Sequence, residues 1–294
     1  MEHITATKVK AILSQKGFSP LKQLGQNFLV DENITTAIVK AAGAQEQNVI
    51  EVGPGLGALT GKLSEAAKKL VAVEIDRGLF GYLKEALANE RHVALINQDI
   101  LKTDIEDLYK TQFDGTDVLL IANLPYYITS AVIMHFLLAD IPLKRMVVMV
   151  QKEVAERLCA QPGTAAYGGL SAMVQYFGRP ETVMKVAPGC FYPRPDVESA
   201  VVRLEIEKTA GEESRRFIAF VKACFAMKRK TLVNNLIKAG YDKTAVLTAL
   251  GQANIDEMAR AESLSSETLQ ILSARLADKR QSMGSTVSET HDCE

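Results

Sequence analysis

Asn123, Leu124, Pro125 and Tyr126 follow one another at the end of an apolar run, Val118–Ala122, that reads as a buried strand. An amide, a proline and an aromatic in this order make a place for a flat base carrying an amine. The Asn123 side-chain oxygen accepts a hydrogen bond from such an amine. Pro125 holds its own φ and has no N–H, so the Leu124 carbonyl can be aimed at the same amine. Tyr126, or Tyr127 beside it, supplies a ring for the base face. An adenine amine needs this help, because its lone pair is delocalised into the ring. Taken alone, the four residues favour the plainer reading of a strand end running into a turn, and core packing suits Tyr126 as well as stacking does.

A second group of residues bears on a cofactor. The strand-like run Asn48–Val52 enters Gly53-Pro54-Gly55-Leu56-Gly57-Ala58, and a helical pattern follows. Glycines between strand and helix let a ligand approach the backbone closely. Gly53-x-Gly55-x-x-Ala58 also fits a dinucleotide fingerprint, so the charges must discriminate. Glu51 precedes the turn, Glu74 ends the next strand, and Asp99 follows the third. Ligands of open α/β sheets bind outside the carboxyl ends of the strands, where these three acids should converge. An acid just before the loop is ill matched to a pyrophosphate and well matched to a sulfonium and an ammonium. Glu74 is placed for ribose hydroxyls. Asp99 is placed either for an adenine amine or as a helix cap. The set favours S-adenosylmethionine over a nicotinamide dinucleotide.

The elements that must position these residues alternate. Strands are predicted at Asn48–Val52, Leu70–Ile75, Val93–Asn97, Val118–Ala122 and Met146–Gln151. Helices are predicted at Thr5–Lys16 (closed by Gly17), Asp31–Ala42, Ala58–Ala67, Arg77–Ala88, Ser130–Ala139 and Glu153–Cys159. This rhythm argues a doubly wound α/β sheet, mainly parallel. Thr182–Val186 and Ser199–Ile206 flank a Pro-rich loop with no helix between them, which predicts a closing antiparallel pair at the sheet edge. From about Thr209 the pattern is helical only, at Ser214–Met227, Lys230–Ala239, Lys243–Gln252 and Ser265–Ala277. The expected organisation is an α/β domain over 1–208 with an N-terminal helical extension at 1–30, a small helical domain over 209–280, and a polar tail at 281–294 without fixed structure.

Composition excludes several classes. The 294 residues are 47% apolar and 23% charged, ordinary for a globular protein, and no apolar run is long enough to span a bilayer. Cys159, Cys190, Cys224 and Cys293 lack the spacing of a zinc site or a disulfide framework, so no metal is expected and a reducing, cytoplasmic setting is. The net charge of −1 conceals two basic segments. Lys8, Lys10, Lys16 and Lys22 stand against Glu2 alone in residues 1–24. Arg215, Arg216, Lys222, Lys228, Arg229, Lys230 and Lys238 stand against Glu212 and Glu213 in residues 211–240. Such runs are either solvated faces or contacts for a polyanion.

Gln26-Asn27-Phe28-Leu29, then Glu51 through Gly57, Asn123 through Tyr126, and Phe191-x-Pro193-x-Pro195-x-Val197-x-Ser199 occur in the order and spacing of the ribosomal RNA adenine dimethyltransferases. The resemblance covers roughly residues 20–240. With Lys228-Arg-Lys-Thr-Leu-x-Asn-Asn-Leu236, the chain most resembles the bacterial small-subunit (16S) branch of that family. The resemblance implies a Rossmann-like methyltransferase fold whose helical C-terminal domain helps hold rRNA. It implies that Asn27, Leu29, Gly53, Glu74, Asp99 and Asn123 contact S-adenosylmethionine or close its pocket, with Gln26, Glu51, Gly55 and Gly57 nearby. Similar enzymes methylate two adjacent adenosines near the 3′ end of 16S rRNA in a pre-30S particle. A monomer acting on that particle is the expectation here. On this reading Tyr126 and Phe191 take the extruded base between them, and Asn123, Leu124 and Pro125 complete the catalytic set. Arg215, Arg216, Lys222, Lys228, Arg229 and Lys230 meet RNA phosphates. A large-subunit (23S) enzyme of the macrolide-resistance type is the nearest alternative. A non-catalytic assembly factor on the same fold is the alternative of another class, and a DNA adenine methyltransferase lacks a base-reading domain here.

Overall fold

The computed structural model describes residues 3–15 and 26–277. The expected helix end at Gly17, Lys16 and Lys22 of the first basic segment, and the tail at 281–294 lie outside the described residues. In chain order the elements begin with helix α1 (Ala6–Gln15), strand β1 (Phe28–Leu29) and helix α2 (Glu32–Ala42). There follow β2 (Asn48–Val52), α3 (Ala58–Ala66), β3 (Lys69–Glu74), α4 (Arg77–Ala86), β4 (Val93–Asn97), α5 (Ile105–Gln112), β5 (Val118–Asn123), α6 (Thr129–Leu137) and β6 (Leu143–Gln151). Then come α7 (Lys152–Leu158), α8 (Gly169–Phe177), β7 (Gly178–Val186), β8 (Phe191–Tyr192) and β9 (Ser199–Ile206). Helices α9 (Glu212–Cys224), α10 (Leu232–Lys238), α11 (Lys243–Gln252) and α12 (Ser266–Arg275) end the series.

The chain divides into two compact units, one within Met1–Ala160 and Val174–Ser214, the other within Gln161–Met173 and Arg215–Glu294. The division at residue 208 expected from composition did not include the excursion of Gln161–Met173 into the helical unit.

The first unit is built on a seven-stranded sheet in the order β4-β3-β2-β5-β6-β9-β7. Strands β2 to β6 are parallel, and β9 pairs antiparallel with both β6 and β7. The strands at the centre are apolar because helices cover both faces. All five residues of β2 are buried. Each of its valines and its isoleucine contributes about 1.5–3 kcal/mol by leaving water. Glu51 in the same run opposes that gain, and its presence is explained by the site below. A separate two-stranded pair joins β1 to β8, with Phe28 opposite Tyr192 and Leu29 opposite Phe191. Helix α1 buries Val9, Ile12 and Leu13 in a cluster with Phe28, Leu56 and Leu79.

Two helices, α5 and α8, fall where none is predicted from the sequence. Helix α5 is short and polar and is held at its start by Asp104, which accepts from the Glu106 and Asp107 N–H groups. Helix α8, Gly-Leu-Ser-Ala-Met-Val-Gln-Tyr-Phe, is apolar over most of its circumference and lacks the one-sided stripe that marks a surface helix.

In the second unit the excursion is stitched to the helices by polar bonds. The Tyr167 hydroxyl donates to the Leu264 carbonyl at 2.8 Å, and the buried Ser266 hydroxyl to the Ala172 carbonyl at 2.9 Å. Lys228, Arg229 and Lys230 sit in the turn between α9 and α10, whereas the sequence pattern assigned Lys230 to the second helix. Thr231 caps α10 instead, accepting from the Asn234 N–H. Asn235, itself buried, clamps this turn. Its Oδ1 accepts from the Met227 N–H at 2.9 Å and its Nδ2 donates to the Met227 carbonyl at 3.2 Å.

Candidate active site

A cavity of about 210 Å³ opens at the carboxyl ends of the parallel strands, within the first unit. The predicted residues Gln26, Asn27, Leu29, Glu51, Gly53, Gly55, Glu74, Asp99, Asn123, Leu124, Pro125, Tyr126 and Phe191 all line it. Gly57 does not. It takes a left-handed φ of 86° at the start of α3 and shapes the turn from outside the cavity.

The glycine turn is required by sterics. Gly53 and Gly55 hold φ values of 67° and 61°, which side-chain-bearing residues rarely adopt. A Cβ on Gly55 would come within 3.3 Å of the Phe28 ring, so a side chain there would press on β1 as well.

The acids differ in their surroundings. Glu51 is buried, and its Oε2 and the Thr60 Oγ1 are buried side-chain oxygens without a hydrogen-bond partner among the described residues. Burial pushes the Glu51 carboxyl up to about 8; the Thr60 hydroxyl nearby works against the rise, and the Glu74 charge adds to it. Glu74 is also buried. Its Oε2 accepts from the Gly55 N–H at 3.1 Å and its Oε1 from the Asp76 N–H at 2.9 Å. Burial raises its carboxyl pKa above the usual range, and those two N–H groups hold the rise in check. Glu74 therefore ties the glycine turn to the end of β3 and still presents lone pairs to the cavity. Asp99 takes the capping role and also faces the cavity. Its Oδ1 accepts from the Leu101 N–H at 3.0 Å, capping the turn Ile100–Lys102, and it lines the cavity.

At the other end of the cavity Asn123 closes β5. Its Nδ2 donates to the Asn27 carbonyl at 3.4 Å, which leaves Oδ1 as the atom that can accept. The Leu124 N–H donates to the Met149 carbonyl at 3.1 Å, which anchors the Asn123–Leu124 peptide, one peptide before the Leu124 carbonyl. Tyr126 is partly buried, and its hydroxyl lies 2.8 Å from Ser199 Oγ. Tyr127 is 59% exposed and also lines the cavity. Phe191 is buried within the core cluster that includes Leu29 and Val201, while one part of it reaches the cavity wall.

Ile75, Ile100 and Leu101 line the cavity and were not singled out from sequence. Their signal was position alone, since each follows closely on a strand-end acid. They give the acid-rich end apolar walls suited to a flat ring. The orphaned carboxylate oxygen of Glu51, the acceptors on Glu74 and Asp99 and these walls fit a ligand that carries cations, hydroxyls and a heterocycle. No group of three or more His, Cys, Asp or Glu side chains able to hold a metal occurs among the described residues.

The strand order, its antiparallel closing pair and the acid-lined cavity at the carboxyl ends suit a methyltransferase that takes its methyl group from S-adenosylmethionine, the class in which the match to the ribosomal RNA adenine dimethylase family places the chain. The model of the ribosomal RNA adenine dimethylase family matches residues 17–278. A ribosomal RNA small subunit methyltransferase A of Bacillus licheniformis is 45% identical over 283 residues, 93% of this chain and 97% of that protein. Its counterpart in Clostridioides difficile is 45% identical over 90% of this chain and 93% of its own. Among solved structures, a dimethyladenosine transferase from Plasmodium falciparum superimposes with a TM-score of 0.70 at 27% identity, covering 83% of this chain and 95% of its own. The 23S rRNA methyltransferase ErmE does so with a TM-score of 0.64 at 27% identity, over 85% of this chain and all of its own. The chain belongs to the ribosomal RNA adenine dimethylase family and is an rRNA adenine dimethyltransferase.

Proposed function

We propose that this enzyme dimethylates two adjacent adenosines near the 3′ end of 16S rRNA, in a pre-30S particle, as a step of small-subunit assembly. The observation that carries the chemistry is that the amine acceptors and the three acids line one cavity. The choice of small subunit rests on relatives of that name that align over nearly their full length. The enzyme acts as a cytoplasmic monomer without a metal. No helix among the described residues is long and apolar enough to cross a membrane.

S-adenosylmethionine supplies a methyl group already activated on sulfur. In our reading Glu51 accepts from its ammonium, Glu74 from its ribose hydroxyls and Asp99 from its adenine amine, while Asn27, Leu29 and Gly53 close around it. The target adenine, taken out of its stack, lies between Tyr126 and Phe191; stacking of this kind is worth about 1–3 kcal/mol per base. Asn123 Oδ1 and the Leu124 carbonyl accept the two N–H groups of the amine. They draw it toward tetrahedral geometry and free its lone pair, an interaction strongest in the transition state. The proton released leaves to water. Arg215, Arg216, Lys222, Lys228, Arg229 and Lys230 are all exposed on the helical unit and meet RNA phosphates.

Labelled methyl groups will enter undermethylated 30S particles and map to two neighbouring adenosines near the 3′ end. Incorporation into 50S particles instead would transfer the assignment to the large-subunit type.

Glu51 makes cofactor binding depend on pH. Its folded-state value of about 8 lies above the usual 4.5, so between these values the folded protein holds a proton that the unfolded chain has released. The stability contributed by this neutral carboxyl is full below about 4.5 and is lost as pH rises through about 8. A cationic ligand prefers the ionised form. Affinity for S-adenosylmethionine should therefore climb by up to about tenfold per pH unit below the Glu51 value, with release of a proton. Titration calorimetry in buffers of different ionisation enthalpy measures both effects. If Glu51→Gln retains the same pH dependence, Glu51 is not its source.

A further inference from the structure

We propose that Ser199 is a positioning residue that holds the Tyr126 ring in the place the target base requires. Ser199 is fully buried at the start of β9, between Gln151 of β6 and Val186 of β7. The three residues after it, Ala200, Val201 and Val202, are buried and apolar. A hydroxyl at such a point carries a desolvation cost unless it is bonded, and its partner is the Tyr126 hydroxyl, 2.8 Å away and 73 residues distant in the chain. A tyrosine held at both its Cα and its hydroxyl cannot swing about its Cα–Cβ bond, so the place of the ring is fixed. The ring is set before a base arrives, so little ordering is left to be done on binding.

The same loop also carries Phe191, whose backbone is tied to β1 opposite Leu29. Pro193 and Pro195 stiffen the stretch between Phe191 and Ser199. Both rings proposed to enclose the base are thus held by the two ends of one segment, which makes their separation a property of residues 191–199. The Tyr126 hydroxyl is spent on this bond, so the contribution of Tyr126 to the base is its face.

This inference rests on the reading that Tyr126 touches the base, and the experiment separates the two. Ser199→Ala, Tyr126→Phe, the double variant and Tyr126→Ala are assayed for kcat and rRNA KM, for cofactor affinity and for Tm. Ser199→Ala and Tyr126→Phe should each lower kcat by about tenfold, the size of one lost hydrogen bond, and the double variant should be no worse than either. Cofactor affinity should stay near that of the parent. Tyr126→Phe leaves the buried Ser199 hydroxyl unbonded and should lower Tm. The double variant should recover Tm without recovering kcat, whereas with a merely structural bond kcat would recover together with Tm. Tyr126→Phe keeps the ring in a folded protein even if Ser199→Ala does not fold. Normal kcat in Ser199→Ala and Tyr126→Phe, or additive losses in the double variant, would overturn the role of Ser199 while Tyr126→Ala still fails. Normal kcat in Tyr126→Ala would overturn the contact with the base itself.

Discussion

Asn123→Ala will lower kcat by about 10²–10³-fold, the usual cost of removing one preorganised group aimed at developing charge. Asn123 closes β5 with its amide nitrogen bonded to the Asn27 carbonyl, so the orientation of the side chain is set before any amine enters. The alanine variant loses the acceptor, and a water taking its place would have to be ordered anew in each turnover. It also loses the Asn27 anchor, so cofactor affinity should fall too, on the order of tenfold, as for one hydrogen bond. Asn123→Asp keeps an acceptor but sets an oxygen against the Asn27 carbonyl, so it should recover part of the chemical step without recovering cofactor affinity. Single-turnover methylation of undermethylated 30S particles measures the chemical step apart from release. Near-normal turnover in Asn123→Ala would refute the proposed activation of the amine.

Glu74→Ala is expected to weaken S-adenosylmethionine binding by at least about 100-fold. Hydrogen bonds to a charged group contribute about 1.5–3 kcal/mol each, and Glu74 is proposed to receive two from the ribose. The carboxylate further holds the Gly55 N–H and the Asp76 N–H, so its removal also loosens the turn proposed to close around the cofactor. Glu74→Gln should not rescue the loss. One end of its amide would set an NH₂ group against a backbone N–H, donor facing donor. Stability should change less than affinity, because the variant also removes a buried acid whose ionisation is costly in the folded state. Calorimetry against thermal melting separates the two quantities, and an affinity within a few-fold of the parent would rule out the ribose contact.

The sheet was legible because its strands are apolar runs with short, turn-bounded connections. Four of the seven predicted strands shift by one to four residues at an end, and β2, β4 and β9 keep the predicted limits. The closing antiparallel pair followed from the absence of a helix between Thr182–Val186 and Ser199–Ile206, and β9 lies between β6 and β7 accordingly. Helix α5 has a stripe of Ile105, Leu108 and Tyr109 that spans only eight residues, and helix α8 is apolar over most of its circumference. The two-residue strands β1 and β8 were invisible, since a pairing that short has no period to detect.

The sequence alone determined which chemical groups this protein brings to its site. The amide, the proline, the aromatic residues, the glycines and three strand-end acids are a matter of residue type and order, and the strand-end rule predicts that they meet. Only the tertiary structure decided what each group experiences there. Glu51 reads as an ordinary glutamate in the chain, and burial beneath the glycine turn is what carries its carboxyl to about 8. Ser199 reads as the last residue of a motif, and the fold brings it within 2.8 Å of the Tyr126 hydroxyl. Gln161–Met173 falls inside the expected α/β domain and carries no predicted element, and packing assigns it, with the start of α8, to the helical unit. The physical reason is common to all three. Local pattern reports the period of the backbone, whereas burial, proton affinity and side-chain partnership are set by segments distant in the chain that meet only once it has folded.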